Sequence, residues 1–191
     1  MCIGEQICTE LGDNPKTWSR HAPLLPPAWF DGELNAFAEA VRSAAAGDLD
    51  KARLQLTVVR SDDLRSWYGD HGEKAGYFRC PHFGGRRKRP SPPILDPIRD
   101  TRSQEELVYK RDGYRCRYCS LRVIPGVVLR LLSRVVGVES FCMTGPRSRR
   151  HGAAVAFRAC ADHVVHHASG GLTNPKNLVT ACWSCNFAKV D

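Results

Sequence analysis

The chain has 191 residues and a formal net charge of +8. Its content of 42% hydrophobic and 25% charged residues is ordinary for a folded protein and excludes wholesale disorder. The charge is uneven, because residues 1–79 carry a net charge of −3 and residues 80–191 one of +11. We therefore expect the C-terminal part to attract a polyanion, most commonly nucleic acid. An anionic membrane and a merely solvated basic surface are the alternatives.

The N-terminus and the apolar stretches argue against export and membrane insertion. Residues 1–14 contain neither a basic stretch nor an apolar run, so no secretory signal is expected. The most apolar stretch, residues 121–138, is interrupted by Pro125 and three arginines, which argues against a membrane span. We expect a cytoplasmic protein without a membrane partner. Its nine cysteines are then interpreted as thiols or metal ligands and not as disulfides.

Residues 23–68 are predicted to be mainly helical. A first helix begins at Asp31 or Gly32, and Gly47-Asp48 separates it from a second. Their apolar residues recur at helical spacing: Leu34, Phe37, Ala38 and Val41, then Leu49, Ala52, Leu56 and Val59. The pattern predicts a helical hairpin, which we interpret as a packing element.

Residues 84–97 predict an extended linker before the C-terminal part, because they combine glycines and prolines with four consecutive basic residues. Its basic run is interpreted as solvated, with a grip on phosphates as the alternative. We therefore divide the chain into a mainly helical region (1–83), a basic linker (84–102) and a C-terminal domain (103–191).

A short helix is predicted over residues 104–111. Ser103 and Glu106 have the capping-box pattern, in which two side chains satisfy otherwise unpaired backbone N–H groups at the start of a helix. Asp112-Gly113 is expected to end this helix. A further helix is expected after Pro125, with Arg130 and Arg134 on one face. Its other face is predicted to carry Val127, Val128, Leu131, Leu132, Val135 and Val136.

Two Cys-x-x-Cys pairs predict a structural zinc site. Cys116 and Cys119 form the first pair, and Cys182 and Cys185 form the second. Two-residue spacing lets both thiolates of a pair face one ion, and two pairs complete a tetrahedral site without an open position. The predicted zinc therefore stabilises the fold and performs no catalysis. Buried thiols and a redox pair are the alternatives, although the βαβ context of a thioredoxin-like motif is missing.

A β-hairpin followed by a helix is predicted near the C-terminus. Residues 157–165 are expected to form a strand, 170–176 a turn and 177–181 the returning strand, and a helix begins at Trp183. The second cysteine pair then lies at the entrance of this helix. With the helices before it, the hairpin predicts an α+β fold.

Asp162, His163 and Asn186 suit the hydrolysis of a phosphodiester. Asp162 and Asn186 can bring oxygen ligands to one hard divalent cation. His163, on the opposite face of the strand from Asp162, can lie beside a water molecule. Such a reaction needs a base that works near neutral pH and a cation that neutralises charge on the phosphate.

Residues 103–191 resemble the HNH endonucleases, which have the ββα-metal (His-Me finger) fold. The resemblance rests on five motifs in order: Cys-x-x-Cys, Asp-His-Val-Val, Gly-Gly, Asn-Leu and Cys-x-x-Cys-Asn-x-x-Lys. It implies a zinc-stabilised ββα-metal domain that hydrolyses DNA, most commonly double-stranded, with Mg²⁺ or Mn²⁺. The family often has proline at the position of His166 and serine at that of Ala168, and the 42 residues between Cys119 and Asp162 form a longer insert than in minimal members.

The resemblance also implies roles for individual residues. His163 is expected to be the general base, and Asp162 and Asn186 the ligands of the catalytic ion. Asn177 is expected to brace the hairpin loop and the His163 ring. Apart from the resemblance, His167 could bind the scissile phosphate or add a metal ligand, with a structural role as the alternative. The candidates for DNA contact are Arg147, Arg149, Arg150 and Lys189, for which a solvated face is the alternative, with His151 as a further phosphate contact or a loop residue without a role.

Two other functions are retained as alternatives. A non-catalytic zinc module would bind nucleic acid through its basic surface and leave the histidines idle, whereas a redox protein would use its cysteine pairs. Salt-sensitive DNA binding without cleavage is expected of the first. Tolerance of metal chelation together with sensitivity to oxidants is expected of the second.

Overall fold

Seven helices and one two-stranded sheet lie within residues 26–69, 100–167 and 170–188, the parts of the chain that the computed structural model describes. The helices are α1 (Phe30–Ala45), α2 (Leu49–Val58), α3 (Ser61–Tyr68), α4 (Glu105–Arg111), α5 (Gly126–Val136), α6 (Gly152–Ala156) and α7 (Trp183–Ala188), and the strands are β1 (Ala159–His163) and β2 (Leu178–Cys182). The fold therefore mixes helices with a small sheet. Most of the predicted linker, including its basic run, lies outside the described residues, and the domain boundaries stay a prediction.

The predicted helical hairpin is confirmed as α1 and α2, which pack against each other. Gly47, with φ of +85°, adopts the left-handed conformation that glycine tolerates and so permits the sharp turn between them. Asp48 then caps α2, its carboxylate accepting a hydrogen bond of 3.1 Å from the Lys51 backbone N–H. Leu34 and Phe37 of α1 and Leu56 of α2 are buried, as the helical spacing predicts.

The N-terminal helices pack on the C-terminal part of the described chain. The ring centroids of Phe30 and Phe157 are 5.7 Å apart, and those of Phe37 and Phe141 are 5.4 Å apart. Side chains from α1, α2 and α3 therefore share one hydrophobic core with side chains from α5, α6 and the sheet.

Helix α4 is present, but the predicted capping box is wrong. The N-cap residue is Gln104, one position later than expected, and no side chain caps the helix. The Ser103 hydroxyl instead accepts at 3.5 Å from the Gln104 side chain, and a turn closed by the Gln104 N–H and the Thr101 carbonyl precedes the helix. Asp112 and Gly113 end α4 as predicted, Gly113 with φ of +62°.

Helix α5 is confirmed, but only part of its predicted apolar face is buried. Leu129, Leu132 and Val136 face the core. Val127 and Leu131, placed on the same apolar face from the sequence, are exposed at 61% and 60%. The helix carries more apolar residues than one face can bury, and its contacts with α1 and α2 select the inward row.

The hairpin and its following helix are confirmed, with β1 and β2 antiparallel and Asp162 opposite Val179. Helix α7 begins directly after β2 and packs against both strands. Every residue of β2 is buried, whereas Cys160, Ala161 and His163 of β1 are partly exposed.

Within the described ranges, every helix is too short or too polar to cross a lipid bilayer.

Candidate functional site

The two cysteine pairs come together as predicted. The Sγ atoms of the four cysteines all lie within 4.8 Å of one another, and the Cys119 and Cys182 Sγ atoms are 3.8 Å apart. Two sulfurs of a tetrahedral zinc site, each about 2.3 Å from the ion, are themselves about 3.8 Å apart. The donor set and its spacing thus fit one Zn²⁺. Among the residues that the structure describes, this is the one group of three or more His, Cys, Asp or Glu residues placed to hold a metal.

The thiols of the cluster influence one another. Burial by itself raises the pKa of a thiol, but hydrogen bonds from the three other cysteines hold the pKa of Cys116 well below its usual value. Hydrogen bonds within the same cluster raise the pKa of Cys119 and Cys185 well above the usual value, so the thiolate is favoured at Cys116. A thiolate is the form of cysteine that binds metal.

Buried Asp112 holds the first cysteine pair beside the hairpin. Its carboxylate accepts hydrogen bonds from the Arg111 Nε at 2.8 Å and from the Thr180 N–H of β2 at 2.7 Å. Arg111 also donates to the Leu178 carbonyl at 2.7 Å, and the Arg117 N–H donates to the Thr180 carbonyl at 2.8 Å. The end of α4 and the loop with Cys116 and Cys119 are therefore bonded directly to β2.

Asp162 is buried on β1 and contacts the cysteine cluster through a tyrosine. The Tyr118 hydroxyl, from between the two cysteines of the first pair, donates to the Asp162 Oδ2 at 2.5 Å. Burial, together with the neighbouring Asp162 carboxylate, raises the pKa of Tyr118 well above its usual value, so the phenol remains a hydrogen-bond donor.

His163 follows Asp162 at the end of β1 and is partly exposed. Its Nε2 lies 3.0 Å from the Thr173 Oγ1, across the hairpin loop. The His167 ring lies beside it, with ring centroids 5.8 Å apart and the planes at 65°. The loop thus gathers two imidazoles and a hydroxyl at the open end of the hairpin.

Asn177 closes the same loop with three side-chain hydrogen bonds to the backbone. Its Oδ1 accepts from the Val165 N–H at 2.8 Å, and its Nδ2 donates to the carbonyls of Val165 at 3.0 Å and Leu172 at 2.9 Å. The Asn177 amide thus braces the loop backbone, and its expected contact with the His163 ring stays a prediction.

The loop glycines make this arrangement possible. A Cβ on Gly171 would lie 1.9 Å from the Val165 carbonyl oxygen and 2.8 Å from the Asn177 Nδ2, so any side chain there would displace the brace. Gly170 has φ of +89°, in the left-handed region.

Asn186 lies in α7 directly after Cys185 and is partly exposed. Helix α7 packs on β1, the strand that carries Asp162. One carboxylate and one amide oxygen suit Mg²⁺ or Mn²⁺, which prefer oxygen ligands, and Mg²⁺ usually keeps several waters. The convergence of Asp162 and Asn186 on one ion stays a prediction.

Comparison with known protein families identifies the segment that carries these features. Residues 156–191 match the HNH endonuclease family. The matched segment contains the hairpin, its loop and α7, and the resemblance inferred from the sequence is confirmed for it. No curated protein and no solved structure gave a significant match.

The candidate DNA-contacting arginines lie just before the HNH segment. Arg149 is exposed, in a 3₁₀ turn over Arg147–Arg149, and Arg147 is partly exposed. Arg150 lies with its guanidinium carbon 5.2 Å from the centre of the Trp183 ring and donates to the Gly145 carbonyl at 2.7 Å, so it also packs the start of α7. Lys189 lies outside the described residues.

Sequence reasoning missed Tyr118 and Thr173, which contact the two central side chains of the HNH segment. Tyr118 lies 44 positions before Asp162, and nothing in the spacing of the cysteine pair announces a role for the residue between them. Thr173 is ten positions from His163, in a turn where threonine is common for conformational reasons alone.

Proposed function

We propose that this protein is a metal-dependent HNH endonuclease that hydrolyses phosphodiester bonds of DNA, with double-stranded DNA as the expected substrate. The observation that carries the proposal is the match of residues 156–191 to the HNH endonuclease family, with Asp162 and His163 adjacent at the end of β1. The net charge of +11 over residues 80–191 supports a nucleic acid as the substrate, because phosphate contacts dominate the affinity for DNA. The ββα-metal fold is part of the proposal.

His163 acts as the general base in this proposal. To take a proton from the attacking water at Nδ1, the neutral ring must carry its hydrogen at Nε2. The Thr173 Oγ1, 3.0 Å from Nε2, is placed to accept that hydrogen and hold the ring in this tautomer. Asn177 keeps the loop that bears Thr173 folded against β1 through its three backbone hydrogen bonds.

Asp162 and Asn186 are proposed to hold the catalytic Mg²⁺ or Mn²⁺, and the bound ion would neutralise charge on the phosphate and on the leaving 3′ oxygen. The products would carry 5′-phosphate and 3′-hydroxyl ends. The zinc at the four cysteines stays structural, because four thiolates leave no open coordination position. His167, beside the His163 ring, is the proposed contact for the scissile phosphate.

A plasmid-nicking assay with Mg²⁺ or Mn²⁺ tests the proposal. We expect the wild-type protein to nick supercoiled DNA and His163→Ala to lose at least about 100-fold in rate, because general bases typically contribute 10² to 10⁴-fold. His166→Ala, which removes another histidine of the same loop, is the matched control and should retain most of the activity. Thr173→Val should lose about tenfold, and Thr173→Ser should recover it.

Equal cleavage by the wild-type protein and His163→Ala would refute His163 as the base. Salt-sensitive DNA binding without cleavage under either ion would instead support the non-catalytic zinc module.

A further inference from the structure

We infer that Tyr118 is a positioning residue for the catalytic metal site, linking the cysteine cluster to Asp162. This inference rests on the proposed function, since it takes Asp162 as a ligand of the catalytic ion. It assigns a role to a residue that lies outside the HNH segment.

The first support is the geometry at Asp162. The Tyr118 hydroxyl donates directly to the Asp162 Oδ2, with 2.5 Å between the two oxygens. The bond fixes the rotation of the Asp162 side chain and so the direction in which its carboxylate would meet an ion.

The second support is the way in which Tyr118 is itself held. It lies between Cys116 and Cys119, whose Sγ atoms belong to the four-cysteine cluster. The residue before it, Arg117, donates its backbone N–H to the Thr180 carbonyl of β2 at 2.8 Å. The loop that presents the tyrosine hydroxyl is therefore tied to the hairpin at both the cysteines and the backbone.

These contacts give the cysteine cluster a second effect besides stability. A zinc ion held by the four cysteines would fix the loop that carries Tyr118, and the Tyr118 hydroxyl holds the Asp162 carboxylate. Hydrogen-bond partners of metal ligands commonly contribute 10 to 100-fold to metal affinity, because they reduce the reorganisation that binding requires.

Tyr118→Phe tests the inference, because it keeps the ring and removes only the hydroxyl. The measurement is the dissociation constant for Mn²⁺, determined without DNA by electron paramagnetic resonance of the zinc-loaded protein. We expect Tyr118→Phe to weaken Mn²⁺ binding about tenfold. Tyr114→Phe is the matched control, since Tyr114 lies in the same loop region, is 38% exposed, and should bind Mn²⁺ like the wild-type protein.

A positioning role is separated from a merely structural one by two further measurements. In an Asp162→Asn background, Tyr118→Phe should cause no additional loss of Mn²⁺ affinity, because the two residues act through one contact. Placing 4-aminophenylalanine at position 118 restores a donor and should recover most of the affinity. This variant also keeps the inference testable should the phenylalanine variant fold poorly.

The outcomes distinguish this inference from the proposed function. If the wild-type protein binds Mn²⁺ and Tyr118→Phe binds it with equal affinity, the role of Tyr118 is overturned and the nuclease proposal still stands. Mn²⁺ affinity that is unchanged by Asp162→Asn, or no binding by the wild-type protein, would overturn both.

Discussion

His151 illustrates at the residue scale how an imidazole near a basic segment can serve the fold. Its Nδ1 accepts a hydrogen bond of 3.2 Å from the Ala153 N–H and caps α6, while its Nε2 lies 3.4 Å from the Leu56 carbonyl of α2. Its ring also packs against Phe141, with centroids 4.9 Å apart. Both ring nitrogens thus contact other parts of the protein. The helix cap and the packing contact account for a histidine at this position without a role in DNA binding.

This environment makes stability depend on pH. Burial lowers the pKa of His151 from 6.5 to about 4, because a charged ring would lose its solvation and could not accept at Nδ1. Below about pH 6.5 the unfolded chain binds a proton that the folded protein does not. As the pH is lowered from 6.5 to about 4, the free energy of unfolding should therefore decrease by up to about 1.4 kcal/mol per pH unit. Above pH 6.5 the contribution of His151 is fully present.

Urea denaturation at pH 7, 6 and 5 measures this effect. His151→Asn is the informative variant, since asparagine also caps helices but does not titrate. Its stability should depend less on pH than that of the wild-type protein, and identical pH profiles for the two would contradict the assignment.

At the scale of elements, α3 and α6 cross unusually closely at Gly152. A Cβ there would lie 2.1 Å from the Ser61 carbonyl oxygen and 2.7 Å from the Leu64 Cβ. The Ser61 hydroxyl accepts from the Gly152 N–H at 2.7 Å, and Arg65 donates to the Arg150 carbonyl at 2.8 Å. The contact between the N-terminal helices and the segment before the hairpin therefore depends on a residue without a side chain.

We predict that Gly152→Ala destabilises the protein by about 1 to 3 kcal/mol, because the added methyl group meets backbone and forces the helices apart. Gly32→Ala is the control, since it lies in α1 with nothing within 4 Å of its Cβ position. That change should be neutral or stabilise by up to about 1 kcal/mol through helix propensity. Denaturant unfolding compares the two, and equal effects would show that propensity outweighs packing at Gly152.

At the scale of the whole molecule, the cysteine cluster joins segments that are distant in the sequence. Cys116 and Cys119 follow α4, whereas Cys182 and Cys185 lie at the junction of β2 and α7. A single ion would connect them across more than sixty residues, including the insert that forms α5 and α6. The same cluster holds Tyr118 against Asp162, so fold stability and site geometry depend on one set of contacts.

We predict one tightly bound zinc per chain and a large loss of thermal stability when it is removed, because binding free energy at such sites is also folding free energy. Elemental analysis and thermal unfolding measured by circular dichroism before and after chelation provide the test. Cys119→Ser should lose zinc, whereas Cys142→Ser, outside the cluster, should retain it. An unchanged melting temperature after chelation would instead favour the redox interpretation.

The sequence by itself determined the features that depend on local spacing. Helical periodicity with Gly47-Asp48 predicts α1 and α2, and two Cys-x-x-Cys pairs predict the cluster. The pattern of residues 157–186 predicts the hairpin and the helix that follows it, and it places Asp162 and His163 side by side in the first strand. Each of these patterns reflects the period of a helix or strand, or the reach of two ligands in one turn.

Only the tertiary structure decided which surfaces and side chains meet. The choice of Leu129, Leu132 and Val136 as the buried row of α5 depends on helices far away in the chain, and so does the need for glycine at position 152. The bond from Tyr118 to Asp162 and the contact between Thr173 and His163 likewise join residues brought together by the fold. Such contacts depend on how elements pack in space, which periodicity along the chain does not encode.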